Sequence, residues 1–282
     1  MNIETIAVIG AGTMGHGIAQ VAGMAGFETR LTDVSGDARV EAWRRIQANL
    51  AGGVSRGKLT QAQAETAASN IALVPNVETA VEKADLVVEA VVEDLATKQA
   101  LFQQLDRLVS QRTILASNTS SLAVTRIANA TAQPGRVLGL HFFNPVHLMK
   151  LVEVVTHDAC APDTIAAARA VAERMGKTTI VVRDAPGFAS SRLGVVLGLE
   201  AMRMLEEGVA SAADIDTAME LGYGHPMGPL RLTDLVGLDV RLRIAEYLHA
   251  ELGDRFKPPR ILSEKVRGGE LGKKAGKGFY EW

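Results

Sequence analysis

Cysteine is almost missing from this 282-residue chain, with Cys160 the only one. That excludes an intrachain disulfide framework and a cysteine-rich zinc site, and it fits a reducing, cytoplasmic setting. Aromatic residues are scarce, at 4%, which leaves few platforms for stacking nucleic-acid bases. Neither sign of charge dominates: 30 basic and 32 acidic residues give a net charge of −2. No global field therefore draws the chain to nucleic acid or to anionic lipid. Charge is locally absent from Thr5 to Phe27, a run of 23 residues without Asp, Glu, Lys or Arg. Its length alone would let it span a membrane. Six glycines, His16 and Gln20 inside the run make a poor lipid-facing helix, and Glu4 with no Lys or Arg before it makes a poor signal peptide. No membrane segment is expected, and no cluster of residues has metal-ligand spacing.

What is present is a globular balance, 47% apolar and 22% charged, with 27 glycines as the outlier. At roughly 150 residues per domain the length implies two domains. The first half alternates strand and helix patterns. Strands are expected at 6–9, 28–32, 85–90, 113–116, 136–141, 151–155 and 178–182. Helices are expected at 13–25, along the stripe Val40, Trp43, Ile46 and Leu50, in the polar stretch to about Asn70, at 94–109 with Leu101, Leu105 and Leu108 on one face, at 122–129, and at 162–175. This alternation predicts an α/β fold with a mostly parallel sheet. Asp184-Ala185-Pro186-Gly187 breaks it, and only helical periodicity follows, at 190–207, 212–221, 232–251 and near 259–266. The expected division is 1–184 and 185–282. The near-zero net charge conceals a basic segment from Arg255 to Trp282, which carries eight basic and three acidic residues.

Gly10-Ala11-Gly12-Thr13-Met14-Gly15 fits G-x-G-x-x-G between an expected strand and helix. Such glycines make a tight turn, let backbone approach a pyrophosphate and pack helix on strand. Amides at the helix start then hold the anion. Asp33 follows 18 residues after Gly15, at the end of the second expected strand. A carboxylate there accepts bonds from a ribose and repels a 2′-phosphate, which favours NAD over NADP. The charge-free run is thereby read as buried strand, phosphate loop and packed helix. Gly52 to Lys58 mimics a P-loop, but Leu59 stands where a Ser or Thr would hold magnesium and a helix precedes it. Arg56 and Lys58 stay candidates for a substrate phosphate, with solvated loop charges as the plainer reading.

Ser117-Asn118-Thr119-Ser120-Ser121 follows an expected strand, where open α/β sheets bind ligands. Ser120 or Ser121 is also a candidate N-cap for a helix starting at Leu122. His141, in His-Phe-Phe-Asn-Pro, ends another strand. Histidine titrates near neutrality and suits proton transfer from an alcohol. It would need a carboxylate, and Glu153 lies 12 residues on inside Leu-Val-Glu-Val-Val. A carboxylate in such a run is costly without a partner.

With the Gly10, Ser117 and His141 motifs, Met149-Lys-Leu-Val-Glu-Val, Asp184-Ala-Pro-Gly-Phe, Gly224-His-Pro-Met-Gly-Pro and Gly276-Lys-Gly-Phe-Tyr, the chain resembles the L-3-hydroxyacyl-CoA dehydrogenases over essentially its whole length. Its look is that of the stand-alone bacterial 3-hydroxybutyryl-CoA branch. The resemblance implies a Rossmann-type NAD domain, a smaller helical domain for substrate and homodimer formation, and interconversion of 3-hydroxyacyl-CoA and 3-ketoacyl-CoA. It implies His141 as general base, Glu153 as its support, and Ser120 on the substrate oxygen. Glu93, Lys98, Asn144 and Lys274 match cofactor-side positions, and Asn144 also faces substrate. Ser191 stands where much of the family has a substrate-binding asparagine; a shorter hydroxyl can act there directly or through water. Two rivals stand beside this reading: a dehydrogenase of a free acid such as L-gulonate, and a non-catalytic dinucleotide-binding protein.

Overall fold

The computed structural model describes residues 2–282. Its chain falls into two compact units, Met1–Ala185 and Pro186–Trp282. The first is built on an eight-stranded sheet of order β3-β2-β1-β4-β5-β6-β7-β8. The strands are β1 Thr5–Ile9, β2 Glu28–Thr32, β3 Ile71–Leu73, β4 Leu86–Glu89, β5 Ile114–Ser117, β6 Val137–Phe142, β7 Leu151–Thr156 and β8 Thr178–Arg183. Pairing is parallel throughout except between β6 and β7. Strands covered on both faces read as continuous apolar runs, and β1 is buried at all five positions. Ile6 and Val8 join one core with Ile18 and Ile46, while Ala7 and Ile9 join another with Phe102 and Leu105.

Helices α1 Gly15–Met24, α2 Gly36–Ser55, α3 Gln61–Ser69, α4 Val77–Val81, α5 Leu95–Leu108, α6 Val124–Ala128 and α7 Pro162–Arg174 complete this unit. Helix α1 lies close to its neighbours because it is built of small residues. A Cβ on Gly17 would stand 2.8 Å from Val146, and one on Gly23 would stand 2.5 Å from Ile71. The second unit is helical, with α8 Ser190–Glu206, α9 Ala212–Tyr223, α10 Pro229–Val236, α11 Leu238–Leu252 and α12 Arg260–Arg267 around Leu199, Leu230, Leu238 and Leu248. Within it, buried Asp234 accepts from the Phe279 and Tyr280 amides at 2.8 and 2.9 Å and from Trp282 Nε1 at 2.9 Å. Among the described residues no helix is long and apolar enough to cross a membrane.

Several expectations need correction. The helix expected over 232–251 is two helices, broken at Gly237, whose φ of +102° no helix accommodates. The stripe on α2 keeps Ile46 and Leu50 in the core, but Val40 is 69% exposed. On α5 the inward residues are Phe102 and Leu105, while Leu108 faces solvent. Strand β3 and helix α4 are additions that pattern reading passes over, because three and five residues carry too little periodicity. Helix α6 starts at Val124, not Leu122, and neither Ser120 nor Ser121 caps it. Its Ala123 N-cap makes no side-chain bond. Asp184 Oδ2 instead accepts from the Thr125 amide at 2.7 Å and the Thr125 hydroxyl at 2.5 Å.

Candidate active site

The ends of β1, β2, β4, β5 and β6 lie along one edge of the sheet, because those strands are parallel. The glycine loop leaves β1 there. Gly10 has φ +103°, and a Cβ on it would strike the Ala90 carbonyl oxygen at 2.5 Å. A Cβ on Gly15 would stand 1.7 Å from the Gly10 oxygen, so only glycine packs this helix start. Gly12 is different: nothing lies within 4 Å of where its Cβ would be. That open cradle is the space a pyrophosphate needs. The Met14 N-cap of α1 has no side-chain bond, so the first helical amides have no capping side chain. The exposed Thr13 lies between Gly12 and the Met14 N-cap. Asp33 fastens the loop to β2: Oδ2 accepts from the Ala11 amide at 2.8 Å and Oδ1 from Ser35 at 2.9 Å. Carboxylate oxygens carry further lone pairs for a ribose. These features fit the NAD adenosine and pyrophosphate.

A cleft of about 330 Å³ opens beside this loop, walled by Met14, Glu93, Asn118, Ser120, His141 and Asn144. His141 and Glu153 face each other across the antiparallel β6–β7 pair. Nδ1 lies 2.7 Å from Glu153 Oε2, and the side chains are 7% and 0% exposed. The antiparallel strand thus supplies the partner that the spacing of 12 residues left open. A carboxylate beside Nδ1 makes that nitrogen the donor and Nε2 the basic nitrogen. Asn118 Oδ1 accepts from the Phe142 amide at 2.9 Å and ties the end of β5 to the histidine strand.

Glu93 organises the opposite wall. Its Oε1 accepts from the Thr119 hydroxyl at 2.6 Å, the Ser120 amide at 2.8 Å, the Ser121 amide at 3.2 Å and the Ser120 hydroxyl at 3.3 Å. Burial pushes this carboxyl up, but the Thr119 bond, the Lys98 charge and the Ser120 amide together hold it below the ordinary range. Lys98 is 1% exposed and paired with Glu89 at 2.5 Å and Glu93 at 3.4 Å. Glu89 escaped sequence reading, although it sits in Leu-Val-Val-Glu-Ala-Val-Val as Glu153 sits in its own apolar run. The same signal, a carboxylate where none is cheap, was available for both.

A second cleft, about 340 Å³, shares Asn144 and is lined by His16, Arg44, Arg45, Asn49 and His147. Burial lowers the His147 pKa, and His16, Lys177 and Arg56 add to the effect. Arg56 and Lys58 are exposed and follow α2, outside both clefts. Gly52 and Gly53 are inside α2, which disposes of the P-loop mimic. Ser191 is half-buried in the first turn of α8, and Lys274 pairs with Asp239, both in the helical unit.

Comparison with known proteins agrees with this arrangement. The NAD-binding domain of the 3-hydroxyacyl-CoA dehydrogenases matches residues 5–185, and the C-terminal domain of the same family matches 187–282. A probable 3-hydroxybutyryl-CoA dehydrogenase of Bacillus subtilis is 46% identical over 100% of this chain and 98% of its own length. The 3-hydroxyadipyl-CoA dehydrogenase of Escherichia coli is 43% identical over 100% of this chain and 60% of its own. The crystal structure of (S)-3-hydroxybutyryl-CoA dehydrogenase from Ralstonia eutropha superposes with a TM-score of 0.95 at 36% identity, covering 100% of this chain and 99% of that one. Both rival readings, a free-acid dehydrogenase and a non-catalytic binder, give way to these matches. The chain belongs to the 3-hydroxyacyl-CoA dehydrogenase family and is an NAD-dependent oxidoreductase of 3-hydroxyacyl-CoA thioesters.

Proposed function

We propose that the enzyme interconverts (S)-3-hydroxybutyryl-CoA and acetoacetyl-CoA, with His141 as the proton-transferring base. The observation that carries this reading is the buried His141–Glu153 pair on the wall of a cleft shared with Ser120 and the glycine-loop residue Met14. In the oxidising direction His141 Nε2 takes the 3-hydroxyl proton, the O–H electrons become the C=O π bond, and the C3 hydrogen departs with its electron pair. NAD, when bound, supplies the hydride acceptor. Glu153 balances the imidazolium that forms and fixes the ring. The Ser120 hydroxyl donates to the substrate oxygen, and Asn144 lines the cleft beside it. Glu93 and Lys98 act at the nicotinamide end, and Asp33 with Gly10, Gly12 and Gly15 at the other. In the helical unit Lys274 serves the cofactor, and Ser191 serves the substrate where relatives of the family use asparagine.

The cleft that carries Arg44 and Arg45 beside His16 and His147 suits the phosphates of CoA, with Arg56 and Lys58 adding to the field. The activity of the Bacillus relative, a probable 3-hydroxybutyryl-CoA dehydrogenase, supports a four-carbon acyl chain; that of the Escherichia relative, a 3-hydroxyadipyl-CoA dehydrogenase, supports a dicarboxylic one. Initial rates with C4 to C16 ketoacyl-CoAs, 3-oxoadipyl-CoA and a free 3-keto acid, each with NADH and NADPH, separate these readings. Highest kcat/KM with acetoacetyl-CoA and NADH is expected; a preference for 3-oxoadipyl-CoA would reassign the substrate. His141→Gln is expected to lower kcat about 10²–10⁴-fold with NADH binding intact, and an unchanged rate would remove His141 from the chemistry. The helical unit exposes Leu193, Leu197, Leu221 and Tyr223. This apolar surface supports a homodimer, which sedimentation equilibrium tests.

A further inference from the structure

The wall of the cleft opposite His141 stands on three charges, two of them sealed from water. Glu89, the last residue of β4, is fully buried. Its Oε1 accepts from Lys98 Nζ at 2.5 Å and from the Val91 amide at 2.8 Å, and its Oε2 accepts from the Ser117 hydroxyl at 2.6 Å. Lys98 comes from the first turns of α5, whose N-cap is Asp94, so its neighbour in sequence Glu93 lies just outside the helix. The Lys98 ammonium touches Glu89 on one side and Glu93 Oε2 at 3.4 Å on the other. Glu93 is the only one of the three that reaches solvent, at 37% exposed.

Burying Lys98 and Glu89 is expensive, and a pair of apolar residues would hold the same elements together at no loss of stability. The pair therefore calls for a reason beyond holding the fold. Lys98, at 1% exposed, is shielded from any ligand in the cleft. Whatever it does for a cofactor it must do through Glu93, and Glu93 in turn holds the Thr119, Ser120 and Ser121 segment by a single oxygen. Glu89 keeps the ammonium from leaving that position, because a lysine is a point charge on a flexible stem.

We propose that Glu89 is a positioning residue of the cofactor site: it pins Lys98, Lys98 pins Glu93, and Glu93 sets the Ser120 segment against the nicotinamide end of the cleft. The proposal rests on the reading of Ser120 as a substrate- and cofactor-facing residue.

The test uses Glu89→Gln, Lys98→Met and the double variant in the full chain. In ligand-free protein, amide hydrogen exchange at Ser120 and Ser121 is expected to accelerate at least tenfold in both single variants. NADH Kd is expected to rise at least fivefold. In the Lys98→Met background, adding Glu89→Gln should change neither quantity more than twofold, since the two act in series. Glu89→Gln with exchange and NADH Kd within twofold of the parent overturns the proposal, as does an equal cost of Glu89→Gln with and without Lys98. If Glu89→Gln does not fold, the double variant decides, since it leaves no unpaired buried charge: parental exchange and a parental NADH Kd there overturn it. Failure of His141→Gln to slow turnover would sink the proton-transfer reading while leaving the exchange and NADH-binding results standing.

Discussion

Two carboxylates of one sheet, Glu89 on β4 and Glu153 on β7, are both completely buried and both sit at the edge that opens on the cleft. They differ in their partners. Glu153 meets a histidine directly across an antiparallel strand pair, at 2.7 Å. Glu89 meets a lysine delivered by a helix, at 2.5 Å. An imidazole can both accept and donate a proton, which suits the first pair to the proposed proton transfer. The second is the pair proposed to order what is packed on it. The same expensive group, a carboxylate out of water, is thus proposed to serve proton transfer on one wall and rigidity on the other.

The sharpest way to break this contrast is at Glu153. Glu153→Gln keeps the volume but lets an amide donate to Nδ1, which moves the ring proton to Nε2 and removes the base. The expected loss is about 10²-fold or more in kcat, with NADH Kd unchanged by fluorescence titration. Equal damage to NADH binding would make the two walls alike. Next in size is Arg56→Ala with Lys58→Ala, which touches neither carboxylate. It should raise KM for acetoacetyl-CoA by about tenfold, or about 1.4 kcal/mol of phosphate attraction, with kcat and NADH Kd retained in steady-state and binding assays.

A smaller effect follows from acid. The Glu93 carboxyl is held below its ordinary range, so its contribution to stability is complete above that range and is lost as pH falls through the depressed value. More than a third of the side chain faces water, and screening keeps the loss below about 1 kcal/mol. Urea midpoints from pH 7 downward should fall less steeply in Lys98→Met than in the parent; parallel slopes would show that Lys98 does not sustain the Glu93 charge. The smallest change is expected of Ser191→Asn, which restores the residue common in the family. Its turnover should stay within about threefold, under 1 kcal/mol, and a collapse in a folded variant would give Ser191 a role asparagine cannot fill.

Much of this was legible in the residues themselves. Buried parallel strands announce themselves as Ile-Ala-Val-Ile or Leu-Val-Glu-Val-Val, and the glycine loop with Asp33 carries its own geometry. The His141–Glu153 distance was not legible, because spacing along the chain does not say that β7 runs back beside β6. Glu89 and Lys98 were obscured for a similar reason: one lies in a strand and the other in a helix nine positions on, and only the turn between them brings ammonium to carboxylate. Gly237 was hidden by context, since helical periodicity runs through it on both sides. Val40 and Leu108 show the opposite error, in which apolar residues at helical spacing overstate the width of a buried stripe.

Asp234 carries a consequence for synthesis. Its buried carboxylate is satisfied by two backbone amides and one indole that all come from residues 279–282. A nascent chain grows from its N-terminus, and the sheet unit has every strand by Arg183. The helical unit cannot satisfy that carboxylate until residues 279–282 have left the ribosome. A chain cut short before them leaves that carboxylate without these three donors, at a cost of about 1–3 kcal/mol for each buried group left unsatisfied, so products truncated ahead of residue 279 should be conspicuous to proteases.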